Sequence, residues 1–175
     1  MTETDRQTER LENILFLIVV TFLAMAMRFF LFPIESGDYL QFLHPWYETL
    51  KENGGLLAIG MDIGDYMPPY FYILALLTYL PISDLFAIKM VSSAVDIVLA
   101  IFAANLAADG ECGSRRWMAA YCVVLFLPSV FLNSAVWGQC DAIYVSALLA
   151  FLYYVRRGRS NAAVLAFSIS FVFKL

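Results

Sequence analysis

Asp38 is the residue whose position most directly indicates chemistry. It follows Gly37 beyond an apolar segment, residues 14–32, and precedes a segment with aromatic residues at helical spacing. A carboxylate in that place is predicted to lie at the level of the lipid headgroups, where it can meet a lipid-linked substrate. The alternative is a helix N-cap, because Asp commonly supplies that cap.

A second polar group lies between two apolar segments and contains Trp137, Gln139 and Asp141. An ionisable side chain between membrane helices predicts a function. For Asp141 the alternative is an N-cap of the helix that begins at Ala142. Asp96 lies inside another apolar segment and needs a hydrogen-bond partner or a wet cavity, so a structural bond between helices is its favoured interpretation.

Arg28 and Lys174 are cations near the ends of apolar segments. They either neutralise a lipid phosphate or extend to the membrane surface along their own aliphatic stems. Asp62 and Asp65 could bind a divalent cation through their oxygen atoms. Solvated turn residues are the favoured interpretation of this acidic pair, and no metal site is assigned.

The remaining reactive side chains and the net charge exclude two classes of site. Cys112, Cys122 and Cys140 are scattered and His44 is the only histidine, so free thiols are expected rather than a zinc site. The net charge is −4, with the acids concentrated in one loop. Nucleic acid is excluded as a partner, because phosphate binding needs clustered Lys and Arg.

The composition predicts an integral membrane protein. Hydrophobic residues make up 62% of the 175 positions and charged residues 15%, against about 45–50% and about 25% in a soluble domain. The apolar residues lie in long blocks rather than in stripes at helical spacing, which favours helices surrounded by lipid. The predicted fold class is all-α, a polytopic transmembrane helix bundle.

Apolar segments that predict helices recur along the chain. Residues 14–32 give about 28 Å of helix, the thickness of the hydrocarbon layer. Residues 38–51 mix apolar and polar side chains at helical spacing and predict an amphipathic helix on the membrane surface. Further apolar helices are predicted at residues 69–80, 85–108, 117–131 and 142–155, and another begins at 162–175. The unfinished last helix predicts a fragment or a truncated reading frame.

The distribution of charge predicts an orientation. The loop at residues 34–68 carries six acids against Lys51 and is predicted to be exoplasmic, whereas Arg115, Arg116 and the basic cluster at 156–159 are predicted to be cytoplasmic. With this orientation, the number of predicted apolar helices exceeds the number of membrane crossings by one. We therefore expect residues 69–80 to enter the membrane and return, and a displaced Arg115 and Arg116 pair is the alternative.

Several short motifs follow one another in a specific order: Gly37-Asp38-Tyr39, Trp46, Gly54-Gly55, Tyr66-Met67-Pro68-Pro69-Tyr70, residues 89–96, residues 127–141 and Phe171-Val172-Phe173-Lys174-Leu175. This order resembles the GT-C glycosyltransferases, in particular prokaryotic relatives of the mannosyltransferase that adds the second mannose of GPI anchors. The resemblance covers nearly the whole chain, with residues 1–175 as the amino-terminal part of one longer GT-C transmembrane domain.

The resemblance implies transfer of a sugar, with inversion, from a polyprenyl-phosphate donor to a lipid or glycan acceptor outside a prokaryotic plasma membrane. Asp38 would be the general base on the acceptor hydroxyl. Arg28 and Lys174 would stabilise the charge on the departing lipid phosphate. The implied sugar pocket is lined by three side chains: Trp137, Gln139 and Asp141. Asp38 and Asp141 are therefore expected to share one cavity.

Two features depart from the family pattern. Met67 stands beside Pro68 and Pro69, where a second aromatic or small residue is common, and the first loop lacks a close pair of carboxylates. No cofactor is therefore assigned, and a requirement for a divalent metal stays open.

The sequence thus predicts a mannosyltransferase-like membrane enzyme. The main alternative is a transporter or channel subunit without enzymatic activity, with Asp96 and Asp141 as pathway residues inside the bundle. The long acidic loop and its surface helix argue against that alternative. An inactive membrane scaffold is the third interpretation.

Overall fold

The structure is a computed structural model that describes residues Glu3–Lys174. Over this range the chain is helical and contains no β-strand, which confirms the predicted all-α class. A π-helical turn, Tyr39–Leu43, leads directly into the second α-helix. The α-helices in chain order are α1 Glu3–Leu31, α2 His44–Glu52, α3 Pro68–Leu77, α4 Asp84–Ala107, α5 Arg115–Leu125, α6 Pro128–Ala135, α7 Asp141–Arg156 and α8 Ser160–Lys174.

Two helices, α1 and α4, are long and apolar enough to cross a membrane. Helices α5 and α6 form a third such segment if they are taken together, although they are bent by 47°. The bend lies before Pro128, because proline lacks a donor for the helical ladder and forces Leu127 into an extended conformation. Helices α7 and α8, with 16 and 15 residues, are shorter than the roughly 20 residues of a typical span.

The long helices run between two ends of the bundle. At the first end, Asn13 of α1 donates a hydrogen bond to the carbonyl oxygen of Gly113, 3.1 Å away, just before α5. Arg157, which follows α7, donates to the carbonyl oxygen of Asp109 at the same end. We call this region, with Arg115, the basic end. The opposite region, which contains residues 34–66 and 137–141, is called the acidic end.

Helix α3 begins and ends at the acidic end. The Tyr47 hydroxyl of α2 donates to the carbonyl oxygen of Leu77, 3.4 Å away, and the Tyr79 hydroxyl donates to that of Gly54 at 3.0 Å. Helix α3 has only ten residues and does not cross the bundle. The helix is also shorter than the roughly 20 residues of a typical span and ends at Leu77, before the predicted end at residue 80.

Small residues allow the long helices to pack closely. Ala24 of α1 meets Ala100 and Ala104 of α4 in a buried cluster, and such small residues let helix backbones approach one another. On the outer face of α1, large apolar side chains such as Phe30, 86% exposed, have no protein contact that covers them. That distribution is expected where lipid takes the place of water as solvent.

Candidate functional site

The segment that carries Asp38 is held in place by Ser36. The Ser36 hydroxyl accepts a hydrogen bond of 3.1 Å from the backbone N–H of Tyr39 and so caps the helical segment that leads into α2. The Asp38 side chain makes no capping bond. The N-cap alternative for Asp38 is therefore wrong, and its carboxylate is available for other contacts.

The turn that carries Gln139 is held by serine hydroxyls from two other parts of the chain. Ser36 donates to the carbonyl oxygen of Trp137 at 3.2 Å, and Ser92 of α4 donates to that of Gly138 at 3.2 Å. Gly138 has a φ of +70°, a conformation that glycine adopts without strain. These bonds present the Gln139 side chain to the segment at residues 36–38.

The Gln139 amide donates a hydrogen bond of 2.6 Å to Oδ2 of Asp38, across 101 residues of sequence. Both side chains line a cavity of about 400 Å³, which we call the Asp38 cavity. Its walls include four aromatic residues: Phe42, Trp46, Tyr66 and Tyr70. Asp38 and Gln139, which were named separately as candidate site residues, are therefore in direct contact in the structure.

The lining of the Asp38 cavity favours a polar ligand that carries no negative charge. Aromatic faces with a few fixed polar groups are typical of small-molecule sites, and aromatic faces also suit the apolar face of a sugar ring. Asp38 and Asp65 supply two carboxylates, and no Lys, Arg or His is among the described lining residues. An anionic ligand would meet repulsion there.

Two tyrosines add hydroxyl groups to the Asp38 cavity. The Tyr66 hydroxyl lies 3.1 Å from Sγ of Cys140, and burial raises the pKa of both Tyr66 and Cys140, so both stay neutral at physiological pH. Tyr70 is only 3% exposed, and its hydroxyl has no hydrogen-bond partner within residues 3–174. A buried hydroxyl without a partner is costly, and a ligand in the cavity can satisfy it.

A second cavity, of about 330 Å³, adjoins the first and shares Gly64, Asp65 and Tyr66 with it. Its other walls are Met67, Phe173 and Lys174, and we call it the Lys174 cavity. The Lys174 ammonium lies 2.9 Å from Oδ1 of Asp141. This cavity therefore combines apolar walls with one cation at the acidic end.

Asp141 occupies a different place from the one expected. It lies in the first turn of α7 after Cys140, which holds the N-cap position, so the N-cap alternative for Asp141 is wrong. It lines a separate cavity of about 140 Å³ together with Asp96 and Asn133, and it does not line the Asp38 cavity. The expectation of one cavity for Asp38 and Asp141 is wrong, because the ion pair with Lys174 holds the Asp141 carboxylate toward α8.

Arg28 is a structural residue in this fold and contributes to neither of the two larger cavities. It is fully buried, with its Nε 3.0 Å from Oδ2 of Asp96 and its Nη2 2.9 Å from the carbonyl oxygen of Leu125. The Ser134 hydroxyl donates to the same Asp96 oxygen at 2.5 Å. The bond between helices expected of Asp96 is confirmed. Both interpretations of Arg28, phosphate contact and extension to the membrane surface, are wrong.

The remaining predicted residues have different surroundings. The Trp137 side chain is 54% exposed and lies outside the lining of the Asp38 cavity, although its carbonyl oxygen holds Ser36. Asp62 is exposed and away from both larger cavities, whereas Asp65 lines both. Among the described residues, no group of three His, Cys, Asp or Glu side chains is placed to hold a metal ion.

Lys89 fixes the chain segment that precedes the Asp38 cavity, and its contacts could not be predicted from the sequence. Its side chain is fully buried in α4, and its ammonium donates to the carbonyl oxygen of Phe32 at 2.9 Å and to that of Ile34. It thereby caps the end of α1 and holds the chain just before Ser36. The signal was a lysine inside an apolar segment, which needs buried acceptors.

Tyr39 and His44 attach the π-helical turn and the first residue of α2 to the start of α4. The Tyr39 hydroxyl donates to Oδ2 of Asp84 at 2.8 Å, and Nδ1 of His44 lies 2.6 Å from the same oxygen. Because Tyr39 follows Asp38 directly, this attachment restricts the movement of the Asp38 segment.

Gly64 allows Trp46 to form one wall of the Asp38 cavity. A Cβ atom on Gly64 would lie 2.2 Å from Nε1 of Trp46, so Gly64→Ala must displace the indole ring. We expect ligand affinity to fall about tenfold and the free energy of unfolding to fall by about 1–3 kcal/mol. Calorimetric titration and chemical unfolding measure the two effects.

Gly37→Ala is the matched control for Gly64→Ala. A Cβ atom on Gly37 meets no atom within 4 Å, and the residue lies in a helical turn. We expect the Gly37→Ala protein to behave like the original protein in both measurements. Equal behaviour of the two variants would show that the position of Trp46 does not depend on Gly64.

Within residues 3–174 the fold defines an all-helical protein. Two of the helices described there are long and apolar enough to cross a membrane, or three if the bent pair counts as one segment. At one end of this bundle lies an aromatic cavity with a carboxylate bonded to an amide. Comparisons with protein-family models, with curated proteins and with solved structures find no match for the chain.

Proposed function

We propose that the protein is a membrane glycosyltransferase of the GT-C type that transfers a sugar, such as mannose, from a polyprenyl phosphate to a lipid or glycan acceptor. The observation that carries this proposal is the Asp38 carboxylate, bonded to Gln139 inside an aromatic cavity at the acidic end. This end lies where the apolar helix α1 stops. A lipid-linked substrate enters such a site from the membrane surface.

Asp38 is proposed to act as the general base. Gln139 engages its Oδ2 atom, and Oδ1 can accept the proton of an acceptor hydroxyl. The acceptor oxygen then forms a bond to the anomeric carbon, and the bond from that carbon to the phosphate oxygen breaks. The electron pair of this bond leaves with the polyprenyl phosphate, and attack opposite the leaving group inverts the anomeric centre. Positioned general bases of this kind contribute about 10²–10⁴-fold in rate.

The two adjoining cavities suit the two parts of the donor. The phosphate is placed in the Lys174 cavity, where the ammonium of Lys174 stabilises the charge that grows on the leaving oxygen. Met67 and Phe173 offer apolar walls for the first part of the polyprenyl chain. The sugar then reaches past Tyr66 into the Asp38 cavity.

The proposed reaction is tested by a transfer assay. Membranes that contain the protein are incubated with labelled polyprenyl-phosphate mannose and a glycolipid acceptor, and product formation is compared with membranes that lack it. We expect labelled glycolipid with an inverted anomeric linkage. Absence of transfer from every polyprenyl-phosphate sugar offered would contradict the proposal.

The exoplasmic location of the acidic end is tested by chemical labelling. Asp62 is exposed, so Asp62→Cys in a Cys112→Ser background should react with a thiol reagent that cannot cross membranes when the reagent is added outside intact cells. Labelling only after the cells are opened would place the site on the cytoplasmic side. That result would contradict sugar transfer from a polyprenyl-phosphate donor at the exoplasmic face.

A transporter is the second candidate, because Asp96 and Asp141 line one small cavity. Against it, Asp96 is 1% exposed and is held by Arg28 and Ser134, which leaves little freedom for a pathway residue. Solute uptake into vesicles that is lost in Asp141→Asn, without any sugar transfer, would favour the transporter.

A further inference from the structure

Asp65 lies where the Asp38 cavity and the Lys174 cavity meet. It lines both of them, within the shared wall at residues 64–66. Its side chain is exposed and makes no hydrogen bond or ion pair within the described part of the chain. A ligand that extends from one cavity into the other must therefore pass an unpaired carboxylate.

The charges around the two cavities are unequal. The Asp38 cavity has Asp38 and Asp65 in its described walls and no basic side chain. Lys174 and the same Asp65 both line the Lys174 cavity, and the ammonium of Lys174 lies 2.9 Å from Oδ1 of Asp141. A negative group can contact the ammonium of Lys174 in one cavity, whereas the described walls of the Asp38 cavity offer it carboxylates and no cation.

Tyr70 provides an independent sign that the Asp38 cavity takes a polar ligand. Its side chain is 3% exposed and its hydroxyl lacks a hydrogen-bond partner within residues 3–174, although Tyr70 belongs to the cavity wall. Such a hydroxyl can bond to a ligand hydroxyl. An apolar ligand would leave it unsatisfied at a cost.

We propose that Asp65 determines which sugars the site accepts, by accepting hydrogen bonds from the hydroxyls of a neutral sugar and repelling a sugar that carries a carboxylate. The inference rests on the proposed glycosyl transfer and deepens it by naming the substrate class. The donor is a polyprenyl-phosphate-linked neutral sugar, and the corresponding uronic acid is excluded. Exclusion by an unfavourable charge is a common source of specificity.

The test compares the affinities of two synthetic donors for the whole chain in lipid nanodiscs. The donors are polyprenyl-phosphate glucose and polyprenyl-phosphate glucuronic acid, which differ in the charge at C6. Isothermal titration calorimetry gives both dissociation constants. We expect the original protein to bind the neutral donor at least about tenfold more tightly, as repulsion between nearby like charges requires.

Asp65→Asn keeps the shape of the side chain and removes its charge. We expect this variant to bind the acidic donor about tenfold more tightly than the original protein does, with only a small change for the neutral donor. Asp62→Asn is the matched control, because Asp62 is exposed and lies outside both cavities. It should keep the original preference.

An unchanged ratio of the two affinities in Asp65→Asn would overturn the inference, as would an equal change in Asp62→Asn. Failure of the proposed function would be seen in the transfer assay, as an absence of sugar transfer. Failure of the present inference would be seen in the ratio of the two donor affinities. High salt should reduce the preference of the original protein, because it screens charges that are partly exposed to solvent. A preference that does not depend on salt would also contradict the inference.

Discussion

Asp38→Asn should lower the turnover rate of sugar transfer by about a thousandfold, within the range that a general base contributes. Asparagine keeps the size of the side chain, and its carbonyl oxygen can still accept the hydrogen bond that Gln139 now donates to Oδ2. It cannot take a proton from the acceptor hydroxyl. We therefore expect the donor dissociation constant to stay nearly unchanged while the rate at saturating substrate collapses.

The measurement is the initial rate of transfer at saturating donor and acceptor, together with donor affinity by calorimetry. Asp62→Asn is the control, because it removes a carboxylate of the same loop that is exposed and outside the Asp38 cavity. That variant should retain the full rate. Transfer by Asp38→Asn within about tenfold of the original rate would remove Asp38 from the role of base.

Arg28→Met should destabilise the protein by about 3 kcal/mol or more, because it leaves a buried carboxylate without its counter-charge. Arg28 and Asp96 are both almost completely shielded, and the nitrogen-to-oxygen distance of the pair is 3.0 Å. One oxygen of Asp96, Oδ1, already lacks a hydrogen-bond partner within residues 3–174. Loss of Arg28 therefore leaves Asp96 with the Ser134 hydroxyl alone.

The double variant Arg28→Met with Asp96→Leu separates a packing effect from a charge effect. Replacement of a whole buried pair by apolar residues is often neutral or stabilising, so we expect the double variant to regain most of the lost stability. Unfolding in mixed detergent micelles, followed by circular dichroism, measures the free energies. A double variant as unstable as Arg28→Met would show that the arginine acts through its shape.

An exposed ion pair of the same chain supplies the comparison for these variants. Lys51 and Glu48 are 3.4 Å apart on the surface of α2, where solvent screens the pair. Lys51→Met should change the free energy of unfolding by less than about 1 kcal/mol. If it and Arg28→Met had equal effects, burial would not be the reason for the importance of the Arg28 pair.

The helical class and the order of the helices could be predicted from the sequence, because long apolar blocks and prolines act locally. The segment at 38–51 was expected as one amphipathic helix, and it is a continuous helical stretch with a π-helical turn at Tyr39–Leu43. The apolar helix predicted at 117–131 is divided into α5 and α6. Pro128 indicates a break in the helix from the sequence alone. The 47° angle between α5 and α6 also depends on how both helices pack against α4.

The site was only partly predictable. Asp38 and Gln139 were both named from their places beside apolar segments, and the structure brings them together. Asp65 was interpreted as a solvated turn residue, yet it lines two cavities. Its position depends on how the loop folds back over α2, and two isolated acids in a loop do not encode that path.

The sequence by itself determined that apolar helices flank an acidic segment and that a carboxylate follows the first of them. Only the tertiary structure decided which polar groups pair: Arg28 with Asp96 across 68 residues, and Lys174 with Asp141 across 33. The physical reason is that a helix apolar on every side contains no stripe that sets its rotation. Its rotation and register, and hence the partners of its few polar side chains, are set by the neighbouring helices against which it packs.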